Sequence, residues 1–305
     1  RDLIFDLYIK EIDLFINFSQ FIDIIFYLSN HFPDFKNLQK HKLLIFSKAI
    51  SLKSTTEEQL LVVQSGYRSL ARLIDAKYSE NEISLNSIID HLKESFSFTI
   101  EALIIISKLK NIPLSDELIE ALIISIKFSE KASFIVSNIA LNLASSSSKN
   151  KEFIYKSKIW LKILPQHGMK LILFLASKAK YQNEMIEDIE MANYLTNIFN
   201  YVNKSEDQTK KADLVLAVIS FIRYSKKFQT FAEIYSNAGF LHTAIDSTIS
   251  SNNDKCIDQG LLLFDQLFHE GIWFNDFSYF VEKISKALTN MQQKQAQRSI
   301  VVLLA

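Results

Sequence analysis

The chain has 305 residues, 48% of them hydrophobic, with 34 basic side chains balanced by 34 acidic ones and only five glycines and three prolines. So little turn-forming material argues against an all-β fold and against a glycine-rich nucleotide loop, and the charge balance removes the electrostatic footprint that sequence-independent nucleic-acid binding requires. Cys256 is the sole cysteine, which excludes an internal disulfide and a thiolate zinc cluster and makes a cytoplasmic location the default expectation.

The first expected elements lie in LIFDLYIKEIDLFINFSQFIDIIFYL, residues 3–28. Asp6, Lys10, Glu11, Asp13 and Asp23 break up its apolar character, so it reads as two packed helices, not a signal peptide or membrane anchor. Pro33 acts as punctuation between this segment and the next periodic one. Thr55 with Glu58 has capping-box spacing and predicts a helix running to about residue 77. Its apolar stripe, Leu60, Val63, Tyr67, Leu70 and Ile74, recurs at helical intervals. Ser79 with Glu82 predicts the next start, and Ser115, followed by Asp116 and Glu117, should cap a helix beyond Pro113.

Further along, SSSSKNK at 145–151 reads as a solvated connection between helices, with a phosphorylation segment as the rival reading. LPQHGMK at 164–170 reads as a tight connection opened by Pro165, in which Gly168 takes a backbone shape other residues resist and His167 is solvated. NKSEDQTKK at 203–211 is a second expected loop, with Ser205 and Gln208 as a capping pair. Trp160 and the group Trp273, Phe274, Phe277, Tyr279 and Phe280 read as core filling between helices. Apolar runs such as the terminal IVVLLA fall far short of a membrane span.

The apolar helices recur. Leu73, Leu109, Leu143, Leu175, Ile222 and Leu267 each anchor the second helix of a proposed pair, at successive spacings of 36, 34, 32, 47 and 45 residues. Such intervals suit helix-pair repeats, in which each unit buries its apolar face only against its neighbours. The expected fold is therefore all-α: a right-handed α-α superhelix of about seven helix pairs. Residues 1–305 are taken as one solenoid, expected to be a fragment of a longer chain because neither end shows a polar capping unit.

Chemistry is harder to find. The histidines, at 31, 41, 91, 167, 242 and 269, show no metal-pair spacing. Neither a nucleophile elbow nor a phosphate loop is present in the sequence. The expectation is a non-enzyme without cofactor, metal or small-molecule substrate. Arginine occurs only at 1, 68, 72, 223 and 298. Arg68 and Arg72 share one helix face and offer a clamp for an acidic or phosphorylated peptide, or else pair with carboxylates such as Asp75. Arg223 with Tyr224 has the same standing.

SNIALNLASS, residues 137–146, resembles the last-helix signature of armadillo repeats, and KLILFLASKA is a weaker echo. The resemblance is to the armadillo and HEAT superfamily. It implies an inner layer of helices lining a groove for extended peptides or partner domains. Asn142 matches the groove asparagine of nuclear-import adaptors in that family, while Asn138 stands where they carry tryptophan, so recognition of basic localisation peptides is not implied. The function expected is a protein-protein interaction scaffold. Two alternatives accompany it: the accessory region of a larger signalling enzyme such as a protein kinase, or a segment of a vesicle-coat or nuclear transport receptor trunk.

Overall fold

A computed structural model describes residues 19–31, 44–52, 56–73, 83–94, 97–109, 112–205, 207–223, 246–248, 254–269, 281–282 and 285. All regular structure among them is helical, without a strand. No helix among the described residues is long and apolar enough to cross a membrane. The chain falls into two compact units, Arg1–Ile163 and Leu164–Ala305.

In the first unit α1 is Ser19–His31, α2 Glu57–Leu73, α3 Leu85–Lys93, α4 Thr99–Lys108, α5 Asp116–Ile126, α6 Glu130–Ser146, α7 Ser148–Lys156 and α8 Ile159–Lys162. A further helical stretch covers 44–50. Hydroxyls start several of these helices. Ser115 accepts from the Leu118 amide at 3.2 Å and Ser129 from the Ala132 amide at 3.1 Å, each satisfying a donor that the first turn leaves open. The box that opens α2 lies one residue later than expected. Thr56 and Gln59 exchange bonds, both at 3.2 Å, so Thr56 is a capping residue; Thr55, Ser79 and Glu82 lie outside the described residues.

The packing runs in two layers. α2 packs on α4 and α4 on α6, while α3 packs on α5 and α5 on α8. The pairs α3–α4 and α5–α6 join one layer to the other. Leu109 and Leu143, two of the recurrent anchors, are buried at successive steps of the α2–α4–α6 layer. Helices two apart in sequence thus share a face, as they must when each hairpin buries its apolar stripe on the next.

The serine cluster is not a loop. α6 continues through Ser146, Ser147 alone is extended (φ −162°, ψ 159°), and α7 starts at Ser148. Ser145 and Ser146 turn their hydroxyls back to the carbonyls of Asn142 and Leu143 at 2.8 and 2.7 Å, and Ser147 accepts from the Asn150 amide at 3.1 Å. Serine side chains that satisfy helix termini locally need no solvated connection.

Lys158, at φ 53°, is the one non-glycine residue with a left-handed backbone among those described. The reversal brings Trp160 into the core, where its indole nitrogen donates to the Tyr155 carbonyl at 3.1 Å and only 1% of the residue stays exposed.

The second unit contains α9 (Pro165–Ala176), α10 (Ala179–Glu187), α11 (Ile189–Lys204), α12 (Gln208–Arg223) and α13 (Asp254–His269). α9 packs on α10, α11 and α12, α11 on α10 and α12, and α12 on α13. Three expectations are corrected here. Pro165 occupies the first turn of α9, where its missing amide costs nothing, so 165–170 is helix instead of a tight connection; Gly168 is helical and buried, and His167 is half-buried, not solvated. The expected loop at 203–211 is largely helix, because α11 runs to Lys204 and α12 begins at Gln208. Asp207 accepts from the Lys210 amide at 3.1 Å, so it caps α12 in place of Ser205.

Candidate functional site

The cleft that holds one of the sequence candidates is built from helix ends in the first unit. Ile106, Ser107 and Leu109 come from the end of α4, Ile112 from the segment after it, Ile139, Asn142, Leu143 and Ser146 from α6, and Ser147 and Asn150 from the start of α7. They enclose about 400 Å³, toward the lower end of the range of small-ligand sites. Half of these residues are aliphatic and half are neutral and polar. Among the described residues none lining the cleft is ionisable.

Its polar rim is partly self-satisfied. Ser107 donates to the Ile104 carbonyl at 2.7 Å, and the Asn150 carboxamide donates to Ser146 at 2.8 Å. No hydrogen bond ties the Asn142 side chain to another described residue. Asn142 is exposed at the cleft mouth, whereas Asn138, one turn earlier on α6, is half-buried and does not line it.

The other candidates stand apart from this cleft. Arg68 and Arg72 are exposed on α2, and the Arg72 guanidinium carbon lies 5.6 Å from the centre of the Phe26 ring on α1. That contact ties α1 to α2 through the ring's negative face. Asp75 and Tyr224 lie outside the described residues, and Arg223 ends α12 in the second unit. The Trp273 aromatic group is also outside them.

A buried polar pair escaped the sequence reading. Tyr67 on α2 and His91 on α3 meet at 3.0 Å, hydroxyl to Nδ1. Phe98 stacks on Tyr67 with centroids 4.6 Å apart, and His91 presents an edge to both rings. Burial lowers the His91 pKa, opposed by the nearby Glu94 and Asp90 carboxylates. Burial, followed by Asp90, raises that of Tyr67. Both groups are therefore held neutral at physiological pH. They stand 24 positions apart, and the residues between them carry no pattern that announces the pair; only the place of Tyr67 in an apolar stripe marked it as core. Within the other layer Lys93 of α3 meets Glu120 of α5 at 2.6 Å, and that bond is the largest cause raising the lysine pKa.

No group of three or more His, Cys, Asp or Glu side chains among the described residues is arranged to hold a metal ion. No protein-family model matches the chain, and no curated protein matches it.

Proposed function

We propose that this chain is a non-catalytic protein-protein interaction scaffold, whose helix layers form a right-handed α-α superhelix of about seven armadillo- or HEAT-like pairs. One observation carries the reading: α2, α4 and α6 pack in succession, with α3, α5 and α8 behind them. Such a stack gains stability from neighbour to neighbour and presents a continuous helical layer to a partner. The cleft between α4, α6 and α7 interrupts that layer where Asn142 stands.

The test is affinity capture from a cell lysate with chemical cross-linking and mass spectrometry. A discrete partner cross-linked to lysines flanking the α2, α4 and α6 layer supports the scaffold. Reproducible turnover of a substrate by the isolated chain overturns it. Arg68→Glu with Arg72→Glu tests the arginine clamp separately: loss of the partner assigns them to the interface, and unchanged capture leaves Arg72 the packing role seen against Phe26.

A further inference from the structure

We propose that the lysine-rich surface of α7 and α8 binds the anionic headgroups of a lipid surface. The inference goes beyond the scaffold reading and does not rest on it.

The chain is neutral only as a whole. Residues 149–183 hold eight lysines and a single carboxylate, Glu152. Five of the eight, Lys149, Lys151, Lys156, Lys158 and Lys162, lie on α7, the reversal after it and α8, and all but the half-buried Lys151 are exposed. α7 packs on α6 and α8, and among its residues Ile154 alone is buried, so this helix carries its charges outward. Glu152 meets Lys156 at 2.7 Å one turn along, an exposed pair that yields easily to other partners. Elsewhere in the unit exposed carboxylates collect on α5, at Asp116, Glu117 and Glu120, so an anionic surface is attracted at α7 and repelled there.

Stability does not account for these lysines. The first turn of α7 carries Lys149 and Lys151 and no acidic residue, and a cation in that turn opposes the helix dipole. Lys158 occupies a left-handed backbone (φ 53°), which glycine adopts without strain. Charges kept at a local cost point to a use other than folding.

Among anionic partners a lipid surface fits best. No arginine falls between Arg72 and Arg223, so the stretch lacks the fork that reads bases and grips single phosphates in two places. Its rings do not stand out to stack on a base either: Trp160 is buried, and Phe153 and Tyr155 are half-buried. Lysines act as point charges whose attraction to a plane of headgroups adds up without exact placement. α7 is about 14 Å long, little more than the roughly 10 Å over which salt screens such attraction, so its lysines act together. Association of this kind needs no spanning helix.

The experiment sediments the full chain with vesicles of phosphatidylcholine, alone or with about 30% phosphatidylserine, at about 0.05 M and about 0.5 M salt. Binding is expected only to the serine-lipid vesicles and only at low salt. Lys149→Gln with Lys162→Gln should lower the partition coefficient on the order of twentyfold, about fivefold for each lysine, while the melting temperature stays unchanged or rises. Arginine at both positions should restore binding. Lys127→Gln with Lys131→Gln removes the same charge from exposed positions at the opposite end of α6 and should lower it by less than about threefold.

No sedimentation with serine-lipid vesicles at low salt overturns the proposal. So does equal binding to neutral vesicles, binding that survives high salt, or the same loss in both glutamine double variants. Displacement from the vesicles by a short DNA duplex or by polyglutamate at matched charge gives the patch to a nucleic acid or an acidic protein and overturns the lipid assignment as well.

Discussion

At the scale of single residues, two positions hold unusual states. His91 is kept neutral between Tyr67 and Phe98, with its pKa lowered by burial. The unfolded chain takes up a proton near pH 6.5 while the folded one does not. Stability from this site is therefore complete above that pH, is lost as pH falls through it, and levels off once the folded imidazole protonates. Urea midpoints should drop between pH 7.5 and 5.5, and His91→Gln should flatten the part of the slope that other groups do not supply. A wild-type slope identical to that of the variant would refute the assignment. Lys158 is the other case. Its left-handed backbone sets the β-carbon against the next carbonyl, at a cost of roughly 1–2 kcal/mol. Lys158→Gly removes that cost at the expense of some unfolded-state entropy, so a net gain of up to about 1 kcal/mol is expected in denaturant titration.

At the scale of elements, the close approach of α2 to the helix at 44–50 depends on Gly66. A β-carbon there would lie 2.9 Å from the Ala49 β-carbon and 3.2 Å from Ile50. Neither neighbour is the far end of a flexible chain, so Gly66→Ala should destabilise by about 1–3 kcal/mol despite alanine's higher helix propensity. An increase in stability would mean the two helices separate at little cost. Ser147 caps α7, and Ser147→Ala should cost about 1 kcal/mol, against a few tenths for Ser147→Gly. Equal losses in the two variants would deny the cap. The sequence made the apolar stripes plain, because Leu109, Leu143 and Leu175 are buried where helical spacing put them. It misled at 145–151 and at Gly168. Serines and glycines are common in loops, yet a hydroxyl can close a helix end, and a glycine can sit inside a packed helix. Of the cleft the sequence marked Asn142 and the anchors Leu109 and Leu143, but nothing in the spacing joins them to the start of α7. Tyr67 and His91 met for the same reason, by tertiary packing alone.

At the scale of the whole molecule, the described helices of residues 1–163 pack within that stretch. Nearest-neighbour stacking makes stability a sum of local terms, so a fragment of residues 1–163 should keep its helical circular dichroism and melt cooperatively without the remainder. Loss of helical signal in the fragment would show that the second unit is required. No helix among the described residues is long and apolar enough to cross a membrane.

Ser147 is the only residue between α6 and α7, which gives that junction and the stretch between Lys204 and Gln208 very different tolerance to changes in length. One residue inserted before Ser147 turns the chain beyond it by about 100° about the α6 axis, pulling Asn150 off the rim that Asn142 and Ser146 share. The same insertion between Lys204 and Gln208 falls outside both α11 and α12 and leaves the register of each helix unchanged. Over generations of sequence drift, gaps should accumulate at the second place and be purged from the first.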